Sequence, residues 1–174
     1  MRRPRRVCLA HIRRSLHPVA VSEHRHLPHL RPFTAQSTVF LTAVTHKRRP
    51  LLAAQSAFDS LTDIWQRSSV IDGWFVGDYL LMPDHVHLFA QAAHDAKPLA
   101  DWVRTWKSLS TRRLAPVLGL DPPLWQRDYF DRFLRSLENY REKWDYVALN
   151  PVRQQLCHEA EDWRWRGRLF ELKF

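Results

Sequence analysis

The sequence predicts an α+β fold: a ferredoxin-like β-α-β-β-α-β antiparallel sheet, followed by an added C-terminal helix. Three observations predict it. Stretches of period-two patterning alternate with stretches of helical spacing along residues 38–133. A Pro83-Asp84 turn joins two of the strand patterns directly, which makes them a hairpin. A further helical pattern over 137–149 follows the last strand, and Pro151 ends or kinks it.

Each element has a local reason. Thr38 to Val44 alternates and is β-branched, so it reads as the first strand. His46 to Pro50 is a basic loop. Residues 51–67 carry helical spacing through Leu51, Leu52, Phe58, Leu61, Ile64 and Trp65. Residues 73–82 and 85–91 are the second and third strands. The third has a Val86/Leu88 face for the core and a His85/His87/Phe89 face. Lys97 to Leu118 is a helix with Leu99, Trp102, Val103, Trp106, Leu109 and Leu114 at apolar positions. Trp125 to Phe133 reads as the fourth strand, and Leu137 to Leu149 as the last helix. No internal repeat is present.

The 174 residues suit one domain with a real core. Two cysteines, Cys8 and Cys157, make no disulfide framework and fit a reducing, cytoplasmic setting. No apolar run approaches the ~18 residues that span a bilayer, so no membrane partner is expected. The formal net charge is +9, and its distribution matters more than its size. Residues 1–31 hold eight Arg and one acid, a net of +7, which leaves about +2 for the rest. Residues 1–35 are therefore read as a basic, disordered N-terminal extension, and 36–174 as the single domain. The extension also has the composition of a transit peptide. Its His24, His26 and His29 are better explained by a polar arm than by a metal site.

The residues that carry chemistry lie in Met82-Pro83-Asp84-His85-Val86-His87-Leu88-Phe89 and farther along at Tyr146 and Asn150. A His-x-His triplet on a strand puts two imidazoles on one face, which suits a divalent metal. Tyr146 and Asn150 are four apart on a helix, so they share a side. Asn150 offers a carbonyl oxygen to a metal, and Tyr146 a phenolic nucleophile. Each part alone has a structural explanation: an incidental His-Val-His, a half-buried helix tyrosine, a helix terminator before proline. Together they are the equipment for cutting a nucleic-acid backbone through a phosphotyrosine. Tyr140, six residues before Tyr146, points to another side of the helix, which disfavours a two-tyrosine site. The general base is not identified: Asp84 and Glu142 are near in sequence, but a turn Asp and a solvated Glu explain them.

For nucleic-acid contact the candidates are Lys47, Arg48, Arg49, Arg104, Lys107, Arg112 and Arg113, with Trp125 and Arg127 framing a bound strand. The alternative for each is a solvated charge or a core ring. Trp163-Arg164-Trp165-Arg166 alternates rings and cations, which suits either stacking on bases or an amphipathic edge strand.

The chain resembles the REP-associated tyrosine transposases of the IS200-like single-tyrosine HUH transposase superfamily. The resemblance runs over about residues 36–174. It rests on Phe40 to Pro50, on Leu81 to Phe89, on Leu124-Trp125-Gln126-Arg127-Asp128-Tyr129-Phe130-Asp131, on Tyr140 to Arg153, and on Trp163 to Leu172. Met-Pro-Asp-His-Val-His with a distant Tyr-x-x-x-Asn-Pro-Val-Arg is its specific part. The resemblance implies that His85 and His87 bind metal, that Tyr146 is the catalytic tyrosine, and that Asn150 is the third metal ligand. It also implies Mg²⁺ or Mn²⁺ as cofactor and single-stranded, hairpin-forming REP-type DNA as substrate. By the same resemblance the product is a 5′-phosphotyrosine, the setting is the bacterial cytoplasm at the nucleoid, and the state is a monomer or a homodimer. One departure is Gln154-Gln155, where the family often has Ala-Gly. A second function class stays open: a catalytically silent nucleic-acid-binding domain, a repressor or RNA binder, on the same fold. A metal hydrolase with His-x-His in a barrel is excluded by size, since such a barrel takes about 250 residues.

Overall fold

The structure is a computed structural model that describes residues 38–174. The expectations for residues 1–35 lie outside the described residues. Five strands form one antiparallel sheet in the order β4-β1-β3-β2-β5: β1 Thr38–Val44, β2 Trp74–Leu81, β3 His85–Ala92, β4 Phe130–Leu134 and β5 Arg166–Arg168. The helices are α1 Gln55–Ile71, α2 Leu99–Val117, α3 Leu137–Ala148 and the short α4 Asn150–Arg153.

Strand alternation divides the apolar residues between the two faces of the sheet. Val39, Leu41 and Ala43 of β1 and Val86, Leu88 and Ala90 of β3 pack with Leu61, Ile64 and Trp65 of α1 and Trp102, Val103, Trp106 and Leu114 of α2. Tryptophans join these layers: Trp74 stacks on Trp102 at 4.8 Å, and Trp65 meets Trp106 edge-on at 5.8 Å. The other face presents Phe40, Leu80, Met82 and Phe89 to Tyr140 and Val147 of α3 and to Trp163. Phe89 is thus fully buried although it shares the His85/His87 face, because α3 lies over it, with Tyr140 4.5 Å away ring to ring.

The β2–β3 register shifts between Val76 and Tyr79, around Gly77 and Asp78. The buried Asp78 carboxylate is paired there with Arg168 of β5 at 2.8 Å and accepts the Tyr140 hydroxyl of α3. A buried charge needs such partners, and these three residues tie α3 and the last strand to β2.

Three element boundaries differ from expectation. α1 starts at Gln55, not residue 51. The Leu52 N–H donates to Pro83 O at 2.9 Å and its side chain is buried, so this segment is held as a bend against the hairpin turn. β4 starts at Phe130, not Trp125. Trp125 makes only an isolated bridge to Thr45, and the Arg127 and Asp128 carbonyls accept from Lys107 Nζ. The third is an additional strand: Arg166–Arg168 extends the sheet beside β2, and of the Trp163–Arg166 segment only Arg166 lies in it.

α3 is capped by Ser136, whose hydroxyl accepts from Asn139 N at 3.2 Å, a contact worth about 1 kcal/mol. Pro151 does not end the helical path. It sits in the first turn of α4, the position where its missing N–H costs nothing. Among the described residues no helix is long and apolar enough to cross a membrane.

Candidate active site

β3 places His85 and His87 on the face that α3 covers, and their Nε2 atoms approach to 3.1 Å. Their other nitrogens are taken. The Asp84 carboxylate meets His85 Nδ1 at 2.6 Å, and the Thr42 hydroxyl meets His87 Nδ1 at 2.8 Å. Since an ionised carboxylate only accepts, His85 Nδ1 carries a proton, and its Nε2 faces inward. Burial, helped by the charges of His85 and Lys143 against the opposing pull of Asp84, lowers the His87 pKa to about 3, so this ring is neutral. Asp84 also pairs with Arg48 at 3.0 Å. Burial would raise its pKa, but the hydrogen bonds from His85 and Arg48 outweigh it and the net shift is downward.

Asn150, at the start of α4, completes the cluster: its Nδ2 lies 3.1 Å from His87 Nε2. Among the described residues no three His, Cys, Asp or Glu side chains gather around one metal position, so the third donor here is an amide. The donor set passes a chemical test for a divalent metal. The two Nε2 atoms face each other at 3.1 Å, a gap that either one shared proton or one bound cation can bridge. Adjacent ligands of an octahedral ion with ~2.1 Å bonds are about 3 Å apart. The Asp84 and Thr42 contacts are the outer hydrogen bonds that fix ligating imidazoles.

Tyr146 lies on α3 and is 57 % exposed. Arg153 binds this region together. Its guanidinium carbon sits 4.1 Å from the centre of the Tyr146 ring, and its Nη1 donates to Tyr146 O at 2.6 Å and to Asn150 Oδ1 at 3.3 Å. Lys143 Nζ stands 5.3 Å from the Tyr146 ring centre and 4.7 Å from that of Phe40, which stacks on His87 at 5.5 Å.

The structure therefore brings His85, His87 and Asn150 into direct contact, with Tyr146 one helical turn before Asn150. Sequence reasoning missed Thr42, Lys143 and Arg153. Thr42 was findable only through its register partner His87. Lys143 and Arg153 stand within seven residues of Tyr146, but nothing in the spacing marks their side chains as turned toward it.

The nucleic-acid candidates divide. Lys47 and Arg48 are exposed at the hairpin end of the site, and Arg49 binds the Pro123 carbonyl at 2.6 Å. Arg127 is exposed. Arg104, Arg112 and Arg113 are exposed on α2, which packs on the opposite face of the sheet from His85 and His87. Arg104 is paired with Asp101, and Arg113 with Asp63 at 2.7 Å. Two candidates need correction. Lys107 is 8 % exposed, its ammonium spent on the Arg127 and Asp128 carbonyls. Trp125 is 4 % exposed, and its indole N–H donates to Ser110 Oγ at 2.8 Å. Neither offers a face to a strand. The same holds for Trp163, which is buried and donates to Leu81 O.

Comparison with known proteins follows the same lines. The chain is 22 % identical over 88 residues to a REP-associated tyrosine transposase of Escherichia coli K12, covering 51 % of this chain and 50 % of that protein. It is 24 % identical over 92 residues to a Haemophilus influenzae protein provisionally given the same name, covering 48 % and 52 %. A solved REP-associated tyrosine transposase bound to a REP hairpin superposes with a TM-score of 0.65 at 19 % identity, over 81 % of this chain and 82 % of that one. The chain is similar to REP-associated tyrosine transposases in sequence and in fold. Its fold is also similar to that of a second solved structure, a provisionally named transposase from Deinococcus radiodurans R1, at a TM-score of 0.50 and 22 % identity over 70 % of this chain and 95 % of that one. It spans about half the length of the curated transposases it matches. No family model matches the chain.

Proposed function

We propose that the protein is a metal-dependent single-stranded DNA endonuclease and strand transferase that acts on hairpin-forming, REP-type DNA. One observation carries this reading: three metal-suited donors, His85, His87 and Asn150, meet at 3.1 Å spacings beneath the helix that bears an exposed tyrosine. The relative solved with a REP hairpin supports the choice of DNA.

His85, His87 and Asn150 would hold the metal, Asn150 by turning its amide oxygen inward. The metal, Mg²⁺ or Mn²⁺, would supply Lewis-acid polarisation of the scissile phosphate. Imidazole ligands favour Mn²⁺ over Mg²⁺. Tyr146 Oη attacks phosphorus and forms the tyrosyl ester. The bond to the 3′-oxygen breaks, and that oxygen leaves as a 3′-hydroxyl once it takes up a proton. The intermediate is a 5′-phosphotyrosine. Attack by another 3′-hydroxyl reverses the step and joins strands, with the bond energy kept in the ester. Asp84 and Thr42 orient the imidazoles, and Arg153 holds Tyr146 through its backbone carbonyl and its ring. Chromosomal hairpins as substrate place this work at the bacterial nucleoid.

The test is incubation of labelled single-stranded hairpin DNA with the protein and Mn²⁺, followed by denaturing electrophoresis. The expected result is a covalent adduct that Tyr146→Phe abolishes while binding persists. Hairpin binding without any adduct would replace this reading by a catalytically silent DNA-binding domain. Equal cleavage of the fully paired duplex would point to a general nuclease.

A further inference from the structure

Edge strand β4 carries an exposed aromatic ring on the site's own face. Phe130 is 57 % exposed. It lies opposite Thr42 in register, and Thr42 lies opposite His87, so all three side chains project to one side of the sheet. The ring contact between Phe130 and Phe40, 6.4 Å and edge-on, confirms that direction. Two strand spacings of ~4.8 Å separate Phe130 from His87, about 10 Å in all.

Single exposed apolar residues are common and need no explanation. This one shares its face of the sheet with two cations. Lys143 Nζ is 4.7 Å from the Phe40 ring, between Phe40 and Tyr146. Arg132, exposed, lies opposite Phe40 in register and so projects to the same face. A solvated ring on one face with Lys and Arg beside a phosphate-handling site matches the make-up of single-strand platforms, where rings stack bases and cations track the backbone.

We propose that Phe130 is a nucleobase subsite: it stacks one unpaired base of the strand held at the active site, while Lys143 and Arg132 contact the phosphates that flank that base. The subsite rests on the DNA-processing reading above and deepens it. It takes an unpaired nucleotide, because a paired base would keep its face inside the duplex stack. Stacking alone tolerates any base, so Phe130 supplies affinity and placement of the strand rather than sequence readout.

The experiment is a binding measurement on the full chain without divalent metal, so no cleavage is needed for its outcome. Fluorescence anisotropy compares a short labelled oligo(dT) with an abasic sugar-phosphate strand of equal length. Wild type is expected to bind the oligo(dT) more tightly. Phe130→Ala should weaken oligo(dT) binding about tenfold and leave the abasic strand unchanged, and Phe130→Trp should keep the preference. Lys143→Ala and Arg132→Ala should weaken both strands alike and lower the salt dependence. Circular dichroism confirms that the variants fold. Undiminished oligo(dT) binding by Phe130→Ala overturns the subsite even if cleavage is intact. A lost preference in Phe130→Ala upholds it even if the adduct assay fails, so the two readings fail separately.

Discussion

Thr42 and His87 face each other across β1 and β3, and the Thr42 hydroxyl meets His87 Nδ1 at 2.8 Å. This contact fixes which nitrogen of His87 faces His85 and Asn150. Thr42→Val keeps the shape and removes the hydroxyl. We expect a 10- to 100-fold weaker Mn²⁺ affinity with the fold retained, measured by titration calorimetry. Wild-type affinity in the variant would show that the hydroxyl does not orient the ring.

Arg168 and Tyr140 both reach the buried carboxylate of Asp78. Arg168→Met strands that carboxylate, so we expect a loss of about 3 kcal/mol in urea denaturation. Pairing the change with Asp78→Asn should recover much of the loss. An additive double variant would mean that the ion pair contributes nothing of its own.

Lys107 titrates low for a lysine. Burial lowers its pKa to about 8, against an opposing pull from the Asp128 charge. Its folded pKa lies below its unfolded one, so between about pH 8 and 10.5 the unfolded chain binds more protons. Stability from this group should therefore rise with pH across that window, by at most about 3 kcal/mol. Lys107→Met should lack this rise, seen as a flatter stability profile relative to wild type. An identical profile would contradict the burial of the ammonium.

Gln155 sits at φ +57° just after α4. A side chain in this left-handed region costs roughly 1–2 kcal/mol, less what glycine loses in chain entropy. Gln155→Gly is expected to raise stability by up to about 1 kcal/mol, visible as a higher Tm with activity unchanged. A lower Tm would mean that the glutamine side chain makes a contact that outweighs the strain.

Much of this molecule is legible in its residues because periodicity reports burial. The His85/His87/Phe89 face, the Val86/Leu88 core face and the tyrosine helix all appear where the alternation and the helical spacing place them. Failures occur where local pattern and tertiary contact compete. Trp125 looks like a strand residue, yet Ser110 and Lys107 of α2 hold its loop out of the ladder. Lys107 looks like a surface cation on an amphipathic helix, and only the loop carbonyls above it make burial affordable.

The sequence by itself determined the order of the main elements from β1 to α3, the shared face of the two histidines and the four-residue spacing of Tyr146 and Asn150, because all three follow from the fixed periods of strand and helix. The tertiary structure alone decided that α3 covers that face, that Asn150 reaches His87, and that α2 carries Arg104, Arg112 and Arg113 to the far side of the sheet. It also decided the company of the site: Thr42 under His87, Arg153 on Tyr146 and Phe130 at the open edge. Those contacts join residues far apart in the chain or depend on side-chain direction, and no local period encodes which strand lies beside which.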